Sequence, residues 1–178
     1  VFLILGVIYH FVFAERIIPG VKIGNTYVGG KTFDKARELL KKAESETEDV
    51  LILKTKNKQF QITKEEIEFD YDLDSSISRA FEVGRTGNIF RDTKDKIAGI
   101  FKTLYIGAFY DYEDEILSLK FTNIKGEVNV PAEDAKIILN DEEDFVIQEA
   151  SEGYKIVDEQ MYDLVINSFD RMDFSPKN

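Results

Sequence analysis

The stretch over residues 80–88, Ala-Phe-Glu-Val-Gly-Arg-Thr-Gly-Asn, constrains the fold more than any other. Ile77, Ala80 and Phe81 recur at three- and four-residue intervals, which predicts an amphipathic helix arriving with one apolar face. Gly84 stops that helix, because a glycine just past the last apolar position takes the left-handed conformation that closes a helix; Gly87-Asn88 repeats the permission three residues later. A tight polar corner follows. Arg85 projects from it with five fixed donors suited to a carboxylate or to a row of backbone carbonyls. Two readings stand. Either Arg85 and Asn88 tie the turn to neighbouring main chain, or, framed by Gly84 and Gly87, they form the rim of a site for an anionic ligand.

At 178 residues the chain can bury one sizeable core or two small ones sharing a boundary. Its net charge of -11 opposes nucleic acid, anionic lipid and wall teichoic acid as electrostatic partners, because each would be repelled. With no cysteine there are no disulfides, thiolate metal sites or cysteine nucleophiles.

Residues 1–14, VFLILGVIYHFVFA, carry no charged side chain and end at Glu15-Arg16. As a helix the run would cover only about 21 Å of a hydrocarbon core about 30 Å thick. It reads as the rear of a longer transmembrane or signal-anchor helix, which divides the chain into an anchor over 1–16, a domain over 17–170 outside the membrane, and the start of a linker over 171–178. His10, the sole histidine, falls inside the run, so the domain itself has none.

Along the domain, residues 17–23 predict a first strand. Thr32 caps a helix bearing Phe33, Ala36, Leu39, Leu40 and Ala43 on one stripe. Residues 50–54 and 58–62 flank Lys56-Asn57 as a hairpin, and Thr63 with Glu66 has capping-box spacing. Phe69, Tyr71 and Leu73 alternate as a strand, with Asp74 or Ser75 capping the helix that reaches the corner. Beyond the corner Ile97, Ile100, Phe101 and Leu104 are spaced as a helix face weakened by Gly99, and residues 104–109 suit a strand. Residues 111–115 are acidic but lack the glycine and distal glutamate of an EF-hand, so they suit a first helical turn. Ala135, Ile137 and Leu139 enter a second hairpin, with its turn at 140–144 and Phe145 and Ile147 returning. Tyr154 and Ile156 form a short strand, and Asp158 caps a last helix carrying Met161, Leu164, Val165 and Phe169.

Helix, hairpin, short strand and helix thus occur twice. A shift of 85 residues carries Phe60, Ile62, Phe69 and Tyr71 onto Phe145, Ile147, Tyr154 and Ile156. The expected class is α+β, with mixed and antiparallel sheets, packed helices and two related halves over 17–90 and 105–170.

The pattern Ala-x-x-x-Gly-Arg-x-Gly-Asn over 80–88 resembles the signature of the peptidoglycan-binding domain found in VanW-like proteins and ahead of some L,D-transpeptidase domains. Ile18-Pro-Gly-Val-Lys-Ile-Gly resembles that family's entry strand, and Val28-Gly-Gly-Lys-Thr leads into its first helix. Pro131-Ala-Glu-Asp-Ala, Phe145-Val-Ile-Gln-Glu, Gly153 and Val157-Asp158 follow in the family's order, so the resemblance covers most of 17–169. It implies peptidoglycan as partner, the membrane through the N-terminal helix, a location on the cell-wall side, and a catalytic domain further along the same chain.

The residues themselves offer no catalytic constellation. No Gly-x-Ser-x-Gly elbow, phosphate loop or zinc-ligand spacing is present, and acidic pairs such as Glu65-Glu66 and Glu142-Glu143 suit a solvated face in a chain with 34 acids. The expectation is a non-catalytic module without cofactor, metal or nucleic acid. One reading has it bind peptidoglycan, with Arg85 and Asn88 on a stem carboxylate; the other makes it a spacer or docking domain holding a transpeptidase or VanW-like domain off the membrane.

Overall fold

The computed structural model describes residues 12–55, 58–139 and 145–177. The apolar run up to Phe11 with His10, the Lys56-Asn57 turn and the turn at 140–144 lie outside the described residues.

The first sheet gathers the entry segment and the strand after the corner. Strand β1 (Val21–Ile23) pairs antiparallel with β2 (Thr26–Tyr27) and parallel with β6 (Leu104–Ile106). A parallel pair requires a crossover, and everything between β2 and β6 supplies it. Thr32 accepts from the Lys35 amide and starts α1 (Phe33–Ser45), which buries Ala36 and Leu40. Strands β3 (Val50–Lys54) and β4 (Gln59–Thr63) form the first hairpin, burying Leu51, Leu53 and Ile62. Thr63 and Glu66 then complete a reciprocal capping box: Glu66 Oε2 accepts from the Thr63 amide at 3.2 Å, and Thr63 Oγ1 accepts from the Glu66 amide at 3.2 Å. The Lys120 ammonium and the Thr63 donors hold the Glu66 carboxyl down at about 2.

Strand β5 (Asp70–Asp72) runs into α2 (Leu73–Glu82), whose N-cap is Asp72, two residues before the Asp74 and three before the Ser75 expected. After the corner comes α3 (Ile89–Phe101), then β6. Residues 104–109 split between two sheets, because β7 (Phe109–Asp111) pairs antiparallel with β5 instead of continuing β6. The acidic segment opens α4 (Asp114–Val128), with Asp114 and Glu115 in its first turn. Strands β8 (Lys136–Leu139) and β9 (Phe145–Gln148) form the second hairpin, and a bridge from Val130 to Tyr154 precedes α5 (Asp158–Arg171). Asp158 is the first helical residue of α5, not its cap, and Val157 at the cap position has no side-chain oxygen to offer.

Phe169 of α5 is the hub of the core. It is fully buried, and ring centroids of Phe69, Tyr110, Phe174 and Tyr112 lie 4.6, 5.4, 5.6 and 5.8 Å from its own. The Tyr71 hydroxyl donates to the Phe169 carbonyl at 3.0 Å. Burial pushes the Tyr71 and Tyr110 phenols well above their ordinary value.

The class is α+β, with small mixed and antiparallel sheets against helices. The order helix, hairpin, extended piece and helix does recur at the 85-residue spacing: β4 falls on β9, and Leu73 at the start of α2 falls on Asp158 at the start of α5. The surroundings differ. The first hairpin is part of the core, whereas all eight strand residues of the second are exposed. At the C-terminus, residues expected to open a linker fold back: Phe174 is buried, and Lys177 pairs with β3 through Lys177 N–H to the Ile52 carbonyl at 2.8 Å and Lys54 N–H to the Lys177 carbonyl at 2.7 Å.

Candidate functional site

Each residue of the corner has a local task. Gly84 and Gly87 take φ of +70° and +83°, the left-handed conformations the sequence calls for, and a side chain at Gly84 would press on Lys96. Asn88 caps α3 by accepting from the Arg91 amide at 3.1 Å. The donors that turn outward around Gly87 meet a carboxylate of the chain itself. Asp92 accepts from the Thr86 amide at 2.8 Å, the Thr86 hydroxyl at 2.7 Å and the Gly87 amide at 3.0 Å. The Thr86 hydroxyl, then the Thr86 and Gly87 amides, hold the Asp92 carboxyl below its ordinary value.

Arg85 spreads its guanidinium over backbone carbonyls. Nη1 donates to Phe81 at 2.8 Å, and Nη2 donates to Phe13 and to Arg16. The group also lies 5.5 Å over the Phe81 ring. It ties the end of α2 to the segment entering the domain. Of the four residues singled out by sequence, Arg85 and Asn88 therefore make the main-chain bonds of the first reading, and Gly84 and Gly87 permit the turn that brings them there.

Beside the corner runs an open groove of about 480 Å³. One wall is the end of α2 and Thr86, the other is α3, and β6 forms the floor. Arg79 and Arg91 contribute a guanidinium from each wall, each with an acidic neighbour: Arg79 to Glu82 at 2.9 Å and Arg91 to Asp95 at 4.0 Å. Both arginines are exposed, so these pairs hold them loosely and leave donors for a ligand. On the floor Tyr105 is 72% exposed between the half-buried Leu104 and Ile106, with the Lys22 ammonium 5.9 Å from its ring centroid. Thr86 and Thr103 line the same groove. An aromatic platform flanked by guanidinium groups and hydroxyls can stack on the apolar face of a sugar while pairing with carboxylates.

Sequence reasoning did not select Arg79, Arg91 or Tyr105. The two arginines stand six residues before and six after Arg85, an available signal once the corner is recognised. Tyr105 gives none, since Leu-Tyr-Ile reads as an apolar strand until the sheet shows which side is covered.

A larger recess of about 690 Å³ lies between α4 and α5, but Lys125 there is paired with Asp158 at 3.1 Å and no aromatic ring lines it. Among the described residues no three His, Cys, Asp or Glu side chains converge to hold a metal ion.

No curated protein and no solved structure matches the chain at a significant level. A model of the family described as "Putative peptidoglycan binding domain" matches residues 60–176, from β4 through the corner and the groove to the C-terminal tail. The entry strands and α1 lie before the match. With about two thirds of its residues inside it, the chain belongs to the peptidoglycan binding domain family.

Proposed function

We propose that this chain is a non-catalytic module that binds peptidoglycan through the groove beside the corner, is anchored by its N-terminal apolar run on the outer face of a membrane, and serves a cell-wall enzyme domain of the VanW-like or L,D-transpeptidase kind. The observation that supports it is that the groove lies wholly inside the matched segment and carries the required chemistry. Tyr105 offers a face to a sugar ring; Arg79 and Arg91 offer donors to the carboxylates of a peptide stem. In this reading Arg85 and Asn88 support the groove by tying the end of α2 to the entry segment and by capping α3, and reach the ligand only through that geometry.

Co-sedimentation with purified insoluble peptidoglycan tests it. Arg79→Ala, Arg91→Ala and Tyr105→Ala are expected to lower retention about tenfold each with unchanged melting temperature, equivalent to about 1.4 kcal/mol. Arg85→Ala is expected to lower retention and melting temperature together. Retention of all three groove variants at the level of the parent chain would remove the groove from the account. Absence of retention by the parent at low salt would leave the spacer reading, which is supported by the way Arg85 and Lys177 fasten the entry segment and the C-terminal tail to the body of the domain.

A further inference from the structure

Helix α3 faces the wrong way for a core helix. At about 100° per residue, Ile89, Ile100, Thr93, Ile97, Phe90 and Phe101 fall within an arc of about 120°. All six are exposed, Phe90 by 90% and Phe101 by 80%. The opposite side does the packing. Gly99 is buried where the Ile18–Pro19 segment crosses the helix, so close that a Cβ at Gly99 would collide with the Pro19 carbonyl, while Asp92, Asp95, Lys96 and Ala98 are half-buried around it. The apolar arc is therefore turned away from the domain.

We propose that this arc rests on the surface of an anionic lipid bilayer, holding the module flat against the membrane that anchors it; this rests on the anchoring reading above. Two observations select lipid over a second copy of the chain. The first is continuity. The uncharged run that precedes Val12 leads directly into Phe13 and Arg16, whose carbonyls Arg85 grips four residues before α3 begins. The second is local charge. Residues 89–102 hold four basic and two acidic side chains in a chain where acids outnumber bases 34 to 23. Lys94 is exposed just beyond one border of the arc, where its long stem can lie along apolar surface and lift the ammonium group to lipid phosphates. Beyond about 10 Å the acidic remainder of the chain is screened, so the local sign governs.

The chain has no tryptophan, so a single introduced indole reports its own surroundings. The full chain carrying Phe90→Trp, and separately Phe145→Trp on the exposed second hairpin, is reconstituted with vesicles of phosphatidylglycerol and phosphatidylcholine bearing brominated acyl chains. Flotation reads anchoring; quenching reads the helix. The expected result is flotation of both, with the indole at 90 quenched several-fold more than that at 145, and less quenching in vesicles of phosphatidylcholine alone. Flotation with equal quenching at the two positions, whether because the arc is bare or because a second copy covers it, overturns the inference and leaves anchoring intact. Equal quenching at 90 in both lipid mixtures overturns the anionic surface. Failure to float overturns the inference and the anchoring together.

Discussion

At the scale of single residues, the polar groups of this domain are largely spent on its own backbone. Asp92 fills the cluster of donors at Thr86 and Gly87, and Arg85 closes over carbonyls from α2 and from the entry segment. The hydroxyl of Tyr71 does the same in the interior, crossing from β5 to the Phe169 carbonyl near the end of α5, where Met172 takes over in a left-handed cap. That carbonyl is buried, so removing its donor leaves it without that partner. Tyr71→Phe is expected to destabilise the fold by about 1–2 kcal/mol, measured by urea denaturation with unchanged slope. The sequence announced a turn at residues 84–88 because glycine and asparagine have few other uses at a helix end. It left open what Arg85 touches, because five donors match a carboxylate and three carbonyls equally well.

At the scale of elements, periodicity told which residues share a face and was silent on where the face points. The stripe through Leu40 in α1 turns inward, as a surface helix requires, while the equally regular stripe through Ile97 and Phe101 in α3 turns outward. The reason is Gly99, which permits the entry segment to approach the other side of α3 more closely than any side chain would allow. Partner strands were similarly hidden: β6 and β7 are adjacent in sequence, but one joins β1 and the other β5. The C-terminal tail is an element that composition disguised as linker, since Ser-Pro-Lys-Asn has linker chemistry while Phe174 immediately before it carries the burial. Its closure depends on Asp173, whose carboxylate accepts from the Ser175 amide at 3.0 Å and from the Lys177 ammonium at 2.9 Å. Ser175 first, and Lys177 with it, holds the Asp173 pKa down at about 2. A carboxyl depressed in the folded state stabilises above its unfolded value, near 3.8, and loses that contribution as pH falls through its folded value. The tail is therefore expected to stay closed at neutral pH and to loosen between about pH 4 and 2, followed by the Lys177 amide resonance; Asp173→Asn should show the loosened tail already at neutral pH.

At the scale of the whole molecule, two passages of one element order reach opposite fates. The first hairpin is built into the core around Leu51, Leu53 and Ile62, and its edge is extended by Lys177. The second exposes every strand residue, including Ile137, Ile147 and Phe145. Two strands alone are marginal in water, so amides of β8 and β9 are expected to exchange at least about a hundredfold faster than those of β3 and β4 in a native-state hydrogen-exchange experiment. Equal protection would mean that the second hairpin is covered in solution. The recurrence was visible in the spacing of aromatic and β-branched residues; the difference in surroundings was not, because it depends on what packs against each hairpin and not on its own pattern. The returning tail has a mechanical side as well. The tail runs parallel to β3 and its two bonds cross between them, so a pull along the chain from that end loads both at once in shear and then drags the Phe174 ring out from beside Phe169. Tension transmitted through the C-terminus would thus meet a latch before it reached the fold.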